Sequence, residues 1–121
     1  MIYDPHIFLI VGISILFDVA TGMSQAAYNH VLSSEKMRSG VYHKLSYIFA
    51  VALSLFIEYT VSHMDLGYTL PLFVPVCTYI VLTEIVSITE NIGKLNPELL
   101  NSGIFKLLSE NKNRRADDDK D

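Results

Sequence analysis

The chain has 121 residues, half of them hydrophobic and 18% charged, with a formal net charge of −4. That is room for one domain with less charge than the roughly 25% of an average soluble one, and the single cysteine, Cys77, excludes an internal disulfide scaffold. All nine Lys and Arg fall in two blocks, Lys36 to Lys44 and Lys94 to Lys120, which is too thin a basic footprint for nucleic acid and reads instead as a membrane topology signal.

The first segment runs from about residue 5 to 24. Its dense apolar part, Ile7 to Phe17, gives only about 16 Å of helix against a hydrocarbon thickness of roughly 30 Å, so a crossing must take Asp18 in with it. A central Asp costs about 2.5–3.5 kcal/mol on insertion scales, which several Leu, Ile and Phe at about −0.3 to −0.6 kcal/mol each offset. Asp4 and the lack of any preceding basic residue argue against a cleaved signal peptide. Ala20 with Ser24, and Gly22 with Ala26, repeat small residues four apart, a spacing that lets helix backbones approach closely in lipid.

From Gln25 to Lys44 the chain turns polar, through Ser33, Ser34, Glu35, Lys36 and Arg38. This predicts a helical continuation and then a cytoplasmic loop against anionic headgroups, with Gly40 as the break before the next helix. The second segment spans about 42–63, interrupted by Glu58, with Tyr42 and Tyr47 near one end and Tyr59 near the other as interfacial aromatics. A connector without Lys or Arg follows and turns at Asp65, Leu66 and Gly67.

The third segment, about 68–90, lies in the stretch that organises the chain. Eighteen residues, Leu66 to Thr83, carry no charge, and Glu84, Ser87, Glu90 and Asn91 close it. Pro71 and Pro75 predict a helix start near Leu70 or a kink, and Gly93 predicts the stop. Asn96 and Pro97 then form a helix-start signal, followed by Leu99, Leu100, Ile104, Leu107 and Leu108 at helical spacing. This predicts an interfacial amphipathic helix over about 97–110, and a disordered charged tail over 111–121. The fold class is therefore an all-α membrane protein, with three transmembrane helices plus the C-terminal interfacial helix, residues 1–110 forming a single membrane domain. Cation placement predicts the amino terminus outside and the carboxyl terminus in the cytoplasm.

No catalytic, cofactor-binding or metal-ligating pattern is present in the sequence. His6, His30, His43 and His63 are scattered, no Ser sits in a glycine-flanked elbow, and there is no phosphate-cradling glycine loop. The chemistry-bearing residues are the carboxyls Asp18, Glu58, Glu84 and Glu90, set in segments that contain no Lys or Arg beyond Lys44 at the start of the second. Such groups reach the interface, bond a neighbouring helix or line a wet cavity, and three helices alone enclose no water. An aqueous path therefore requires several copies.

Asp18, Val19, Ala20, Thr21 and Gly22, then Ser33, Ser34, Arg38, Gly40 and Lys44, then Glu84, Ser87, Ile88, Glu90 and Asn91 followed by Gly93, Pro97 and Leu100, resemble the phage lysis and toxin secretion holin family of Gram-positive bacteria and their phages. The resemblance covers about residues 15–108, and the Glu-x-x-Ser-Ile-x-Glu-Asn string is its most specific part. It implies a small protein of the host cytoplasmic membrane that forms homo-oligomers and opens lesions through which an endolysin or toxin is released. Lipid and further copies of the chain are its implied partners, and Thr21, Gly22, Arg38, Gly40, Lys44, Ser87 and Asn91 its motif positions. Two stretches depart from the family pattern: Met23 to His30, usually basic, and the tail, here acidic. A small ion or proton-coupled carrier using Glu84 and Glu90, and a structural membrane subunit recruiting a partner through residues 96–121, are the competing readings.

Overall fold

The computed structural model describes residues 3–101 together with 103 and 107. Within these the secondary structure is helical: α1 (Pro5–Tyr28), α2 (Ser34–His63), α3 (Phe73–Leu95) and the short α4 (Pro97–Leu100). At 1.5 Å per residue the first three are about 36, 45 and 35 Å long, enough to cross a bilayer. All three are also apolar enough to do so.

The helix ends explain where the boundaries differ from those the sequence predicts. α1 runs on to Tyr28 and closes in a Schellman turn: the Val31 N–H donates to the Ala26 carbonyl at 2.9 Å, the His30 N–H to Ala27 at 3.3 Å, and His30 takes a left-handed φ of 58°. α2 then starts at Ser34, because the Ser33 hydroxyl accepts the Lys36 N–H at 3.1 Å. Gly40 is therefore no break: it lies inside α2, and the expected loop is only five residues between α1 and α2. The turn at Asp65 and Gly67 is as expected, with φ of 51° and 77°. α3 begins at Phe73, after Pro71, so that Pro75 falls in its first turn where its missing N–H costs nothing.

Gly93 does not stop α3 either. It is buried within the helix, and a side chain there would overlap Leu100 of α4. The Asn96 side chain caps α4 by accepting the Glu98 N–H at 3.2 Å, as its sequence signal predicts. Leu100 thus packs on α3 while Leu99 and Leu107 are exposed. Ile104, Leu108 and the tail 111–121 lie outside the described residues.

Packing falls into two units, one of residues up to Ile15 with Ser33–Leu82, the other of Leu16–Leu32 with residues from Thr83 onward. In the first, Phe73 is fully buried, with Tyr3 and Phe8 ring centroids 4.3 and 5.1 Å away, and Cys77 and Ile80 are buried as well. Tyr47 is buried here too, its hydroxyl 2.9 Å from His43 Nε2, so of the three tyrosines expected at the interfaces Tyr42 and Tyr59 are exposed and Tyr47 is not. In the second, α3 carries the buried Glu84 and Thr89.

The distribution of polarity is that of a protein solvated by lipid. Large apolar side chains such as Leu16, Phe49, Phe56 and Tyr79 are exposed on the long helices, while Ser14, Ser54, Glu58, Glu84 and Thr89 are buried. A soluble domain does not expose continuous apolar surface of this kind. Buried hydroxyls are satisfied within their own helices: Ser14 donates to Val11, Ser54 to Val51 and Thr89 to Ile85, each at 2.7–2.8 Å. Among the described residues no buried side-chain polar atom lacks a partner, as a medium without water requires. The chain is a multi-pass membrane protein.

Candidate functional site

The site is built on one stripe of α3. Phe73, Cys77, Ile80, Glu84, Ser87 and Asn91 follow one another at steps of four and three residues, so they lie along a single helix face. The first four are buried and the last two half-buried, and the stripe changes from apolar to polar at Glu84, which is 1% exposed. α1 carries a stripe of the same period in Ile7, Val11, Ser14, Asp18, Thr21 and Gln25, none of them exposed.

In the second unit the polar halves of these two stripes meet. Asn91 Nδ2 donates to Asp18 Oδ1 at 3.0 Å and to Thr21 Oγ1 at 3.1 Å, and lies 3.4 Å from the Asp18 carbonyl oxygen. Thr21 passes the chain of donors on to the Phe17 carbonyl at 2.9 Å. Asp18 and Thr21 are three apart on α1 and so share a face, which is why one amide reaches both. Gly22 flanks the amide: a Cβ there would sit 3.4 Å from Asn91 Nδ2, in contact without clash. A turn further on, the Asn29 amide lies 3.5 Å from the carbonyl of Lys94. The carboxyl of Asp18 thus accepts from a neutral donor inside a membrane-spanning helix, which satisfies one of its oxygens where water is absent.

Glu58, in the first unit, has a different partner. It is 8% exposed on α2, and the Tyr3 hydroxyl donates to its Oε2. Tyr3 precedes α1 and lies outside the span. Its phenol is pushed up to about 12, chiefly because it donates to the Glu58 carboxyl, with burial and the negative charge adding to the effect. Next to it, Asp4 is held below the usual carboxylate range by the backbone N–H of His6 and then by the His6 ring, 2.7 Å away.

Four motif positions therefore come together: Asp18, Thr21, Gly22 and Asn91. Ser87 and Glu90 are half-buried on the same helix as Asn91. Arg38 is exposed on α2, Gly40 is in its interior, and the Lys44 amine lies 5.7 Å from the Tyr47 ring centroid, all in the first unit. Tyr3 and the bridging role of Asn91 are not evident in composition or hydropathy. The signal that exposes the second is the 3.5-residue repeat through α1 and α3 that turns from apolar to polar along each helix. Among the described residues no group of three His, Cys, Asp or Glu is placed to hold a metal ion.

The family model described as the bacteriophage holin family matches residues 4–109 of the chain. Comparison with curated proteins and with solved structures finds no match.

Proposed function

Because the chain belongs to the bacteriophage holin family, we propose that it accumulates in the host cytoplasmic membrane, associates with further copies of itself and opens a lesion that releases an endolysin or a toxin. The family is one of non-enzymatic, pore-forming membrane proteins. The amino terminus is then outside and the carboxyl terminus cytoplasmic, which puts the cations of Lys36 to Lys44 and of Lys94 onward on the inner side.

The observation that carries this reading is the Asp18–Thr21–Asn91 cluster within helices whose outer faces are apolar. In lipid, interhelical polar contacts of this kind hold helices together by about 1–2 kcal/mol or less each, and the same donors and acceptors pair equally well with another copy. In one copy the amide and carboxyl satisfy each other. In an assembly they exchange partners, and Asp18 and Glu84, with Glu58 and Glu90 alongside, turn towards a shared lumen that fills with water. Small-residue contacts along α1 (Ala20 with Ser24) let the copies approach.

Expression in bacteria, sampled at intervals for abrupt growth arrest and leakage of a co-expressed cytoplasmic hydrolase, tests the reading. Asp18→Asn with Glu84→Gln is expected to change the onset or the extent of leakage. Unchanged timing removes those carboxyls from the mechanism, and no leakage from the wild-type chain removes the mechanism.

A further inference from the structure

Glu58 stands apart from the cluster just described: it lies in the other unit, and the partner it has comes from outside the helices. Tyr3 bridges two elements from a segment that is itself short. Its hydroxyl meets Glu58 of α2, and its ring lies 4.3 Å from that of Phe73, the fully buried first residue of α3. Phe8 of α1 packs on the same Phe73 ring at 5.1 Å. Immediately after Tyr3 the chain is at the surface, with Asp4 and His6 exposed and bonded to each other. One ring and one hydroxyl therefore fasten this segment where it meets α2 and α3, and the hydroxyl is a hydrogen-bond partner of the acid.

We propose that Tyr3 is a latch on Glu58: while its hydroxyl is seated the carboxyl is masked inside its own copy, and when the segment lifts away the carboxyl is released to a second copy or to lumen water. The inference rests on the pore-forming reading above and names what restrains one of its carboxyls. Tyr3 acts through Glu58, so it is a positioning residue. Exposing an unpartnered carboxyl to lipid is costly, so an opened latch drives Glu58 to a new polar partner, which association supplies.

Titration of Tyr3 itself leaves the latch closed in the range where cells live. A phenol raised to about 12 from its ordinary 10 contributes stability that is fully present below pH 10 and is lost as the pH rises through 12. Opening therefore depends on displacement of the segment and not on titration of Tyr3.

The test is Tyr3→Phe in the full chain, which keeps the ring on Phe73 and removes only the hydroxyl. Loss of a side-chain hydrogen bond raises the unlatched population about two- to tenfold, so leakage in timed cultures is expected earlier than in wild type at equal accumulation in the membrane. In a Glu58→Leu background the same change is expected to have no effect. A second measurement does not depend on lysis: 3-fluorotyrosine placed at position 3, in the full chain in bilayer vesicles, is expected to titrate above free 3-fluorotyrosine and to fall back toward that free value in Glu58→Gln. Leakage from wild type with an unchanged or later onset in Tyr3→Phe overturns the latch. So does a Tyr3→Phe effect that persists without Glu58, or a fluorotyrosine titration indifferent to Glu58→Gln. If the wild-type chain never leaks, the pore reading fails first, and the latch falls with it.

Discussion

The two packing units each hold an acid on a polar partner, and they do so in different ways. In the first, rings and aliphatics fill the interior around Phe73, Cys77 and Ile80, and Glu58 accepts from a tyrosine hydroxyl outside the helices. In the second, Asp18 accepts from the Asn91 amide, which also donates to Thr21, and all three belong to the helices themselves at half-buried positions. The difference follows from the solvent. Lipid tails are as apolar as Leu or Ile, so burying apolar surface against another helix gains little by itself, and what remains is close packing in one unit and hydrogen bonding in the other. The first unit is thus stabilised by shape and the second by exchangeable polar contacts. It is the exchangeable kind that suits an assembly forming from separate copies.

The largest expected effect is in the first unit. Phe73→Ala removes a ring with no exposure and two aromatic neighbours, and should cost about 3 kcal/mol, the low end for a buried Phe because the cavity and not transfer from water supplies the cost. Reversible unfolding in mixed detergent micelles, followed by helicity, measures it. Asn91→Leu in the second unit should cost less, about 1–2 kcal/mol, since interhelical hydrogen bonds in membrane proteins are worth of order 1 kcal/mol or below each. It should move the onset of leakage more than Phe73→Ala does, because it empties the contact that changes partners. A larger stability loss from Asn91→Leu than from Phe73→Ala would invert the comparison.

The same contrast explains what could be read from sequence. The three spans are legible because hydrocarbon thickness sets a length that composition must meet, and the 18 uncharged residues from Leu66 to Thr83 meet it almost alone. Asp18, Thr21, Gly22 and Asn91 are legible as a motif, yet their meeting depends on α1 and α3 sharing a period of about 3.5 residues, which hydropathy does not register. Gly40 and Gly93 mislead for different reasons. In water an isolated glycine weakens a helix, whereas helices that cross lipid keep their backbone bonds and use glycine for close approach, as Leu100 over Gly93 illustrates. Gly40 has open space around it and is helical because the helix is capped upstream of it. Ser33, which looks like loop, is the cap that starts α2 seven residues before Gly40. Tyr3 is illegible because its partners, Glu58 and Phe73, are 55 and 70 residues away and no local pattern points to them.

The smallest effect sharpens the comparison at the link that leaves the second unit. His30 holds a φ of 58° so that Val31 and His30 can donate back to Ala26 and Ala27, a conformation that costs a residue with a Cβ about 1–2 kcal/mol. His30→Gly removes that strain and adds about 0.5–1 kcal/mol of backbone entropy to the unfolded chain, so a net gain of about 0.5 kcal/mol is expected. Amide exchange at residues 26–31 should slow accordingly, with the Asp18–Asn91 contact and the leakage onset unchanged. That outcome would separate the stability of the second unit from its polar exchange. A shift of onset with His30→Gly would instead tie the turn to the cluster, and the second unit would have to be treated as one cooperative piece.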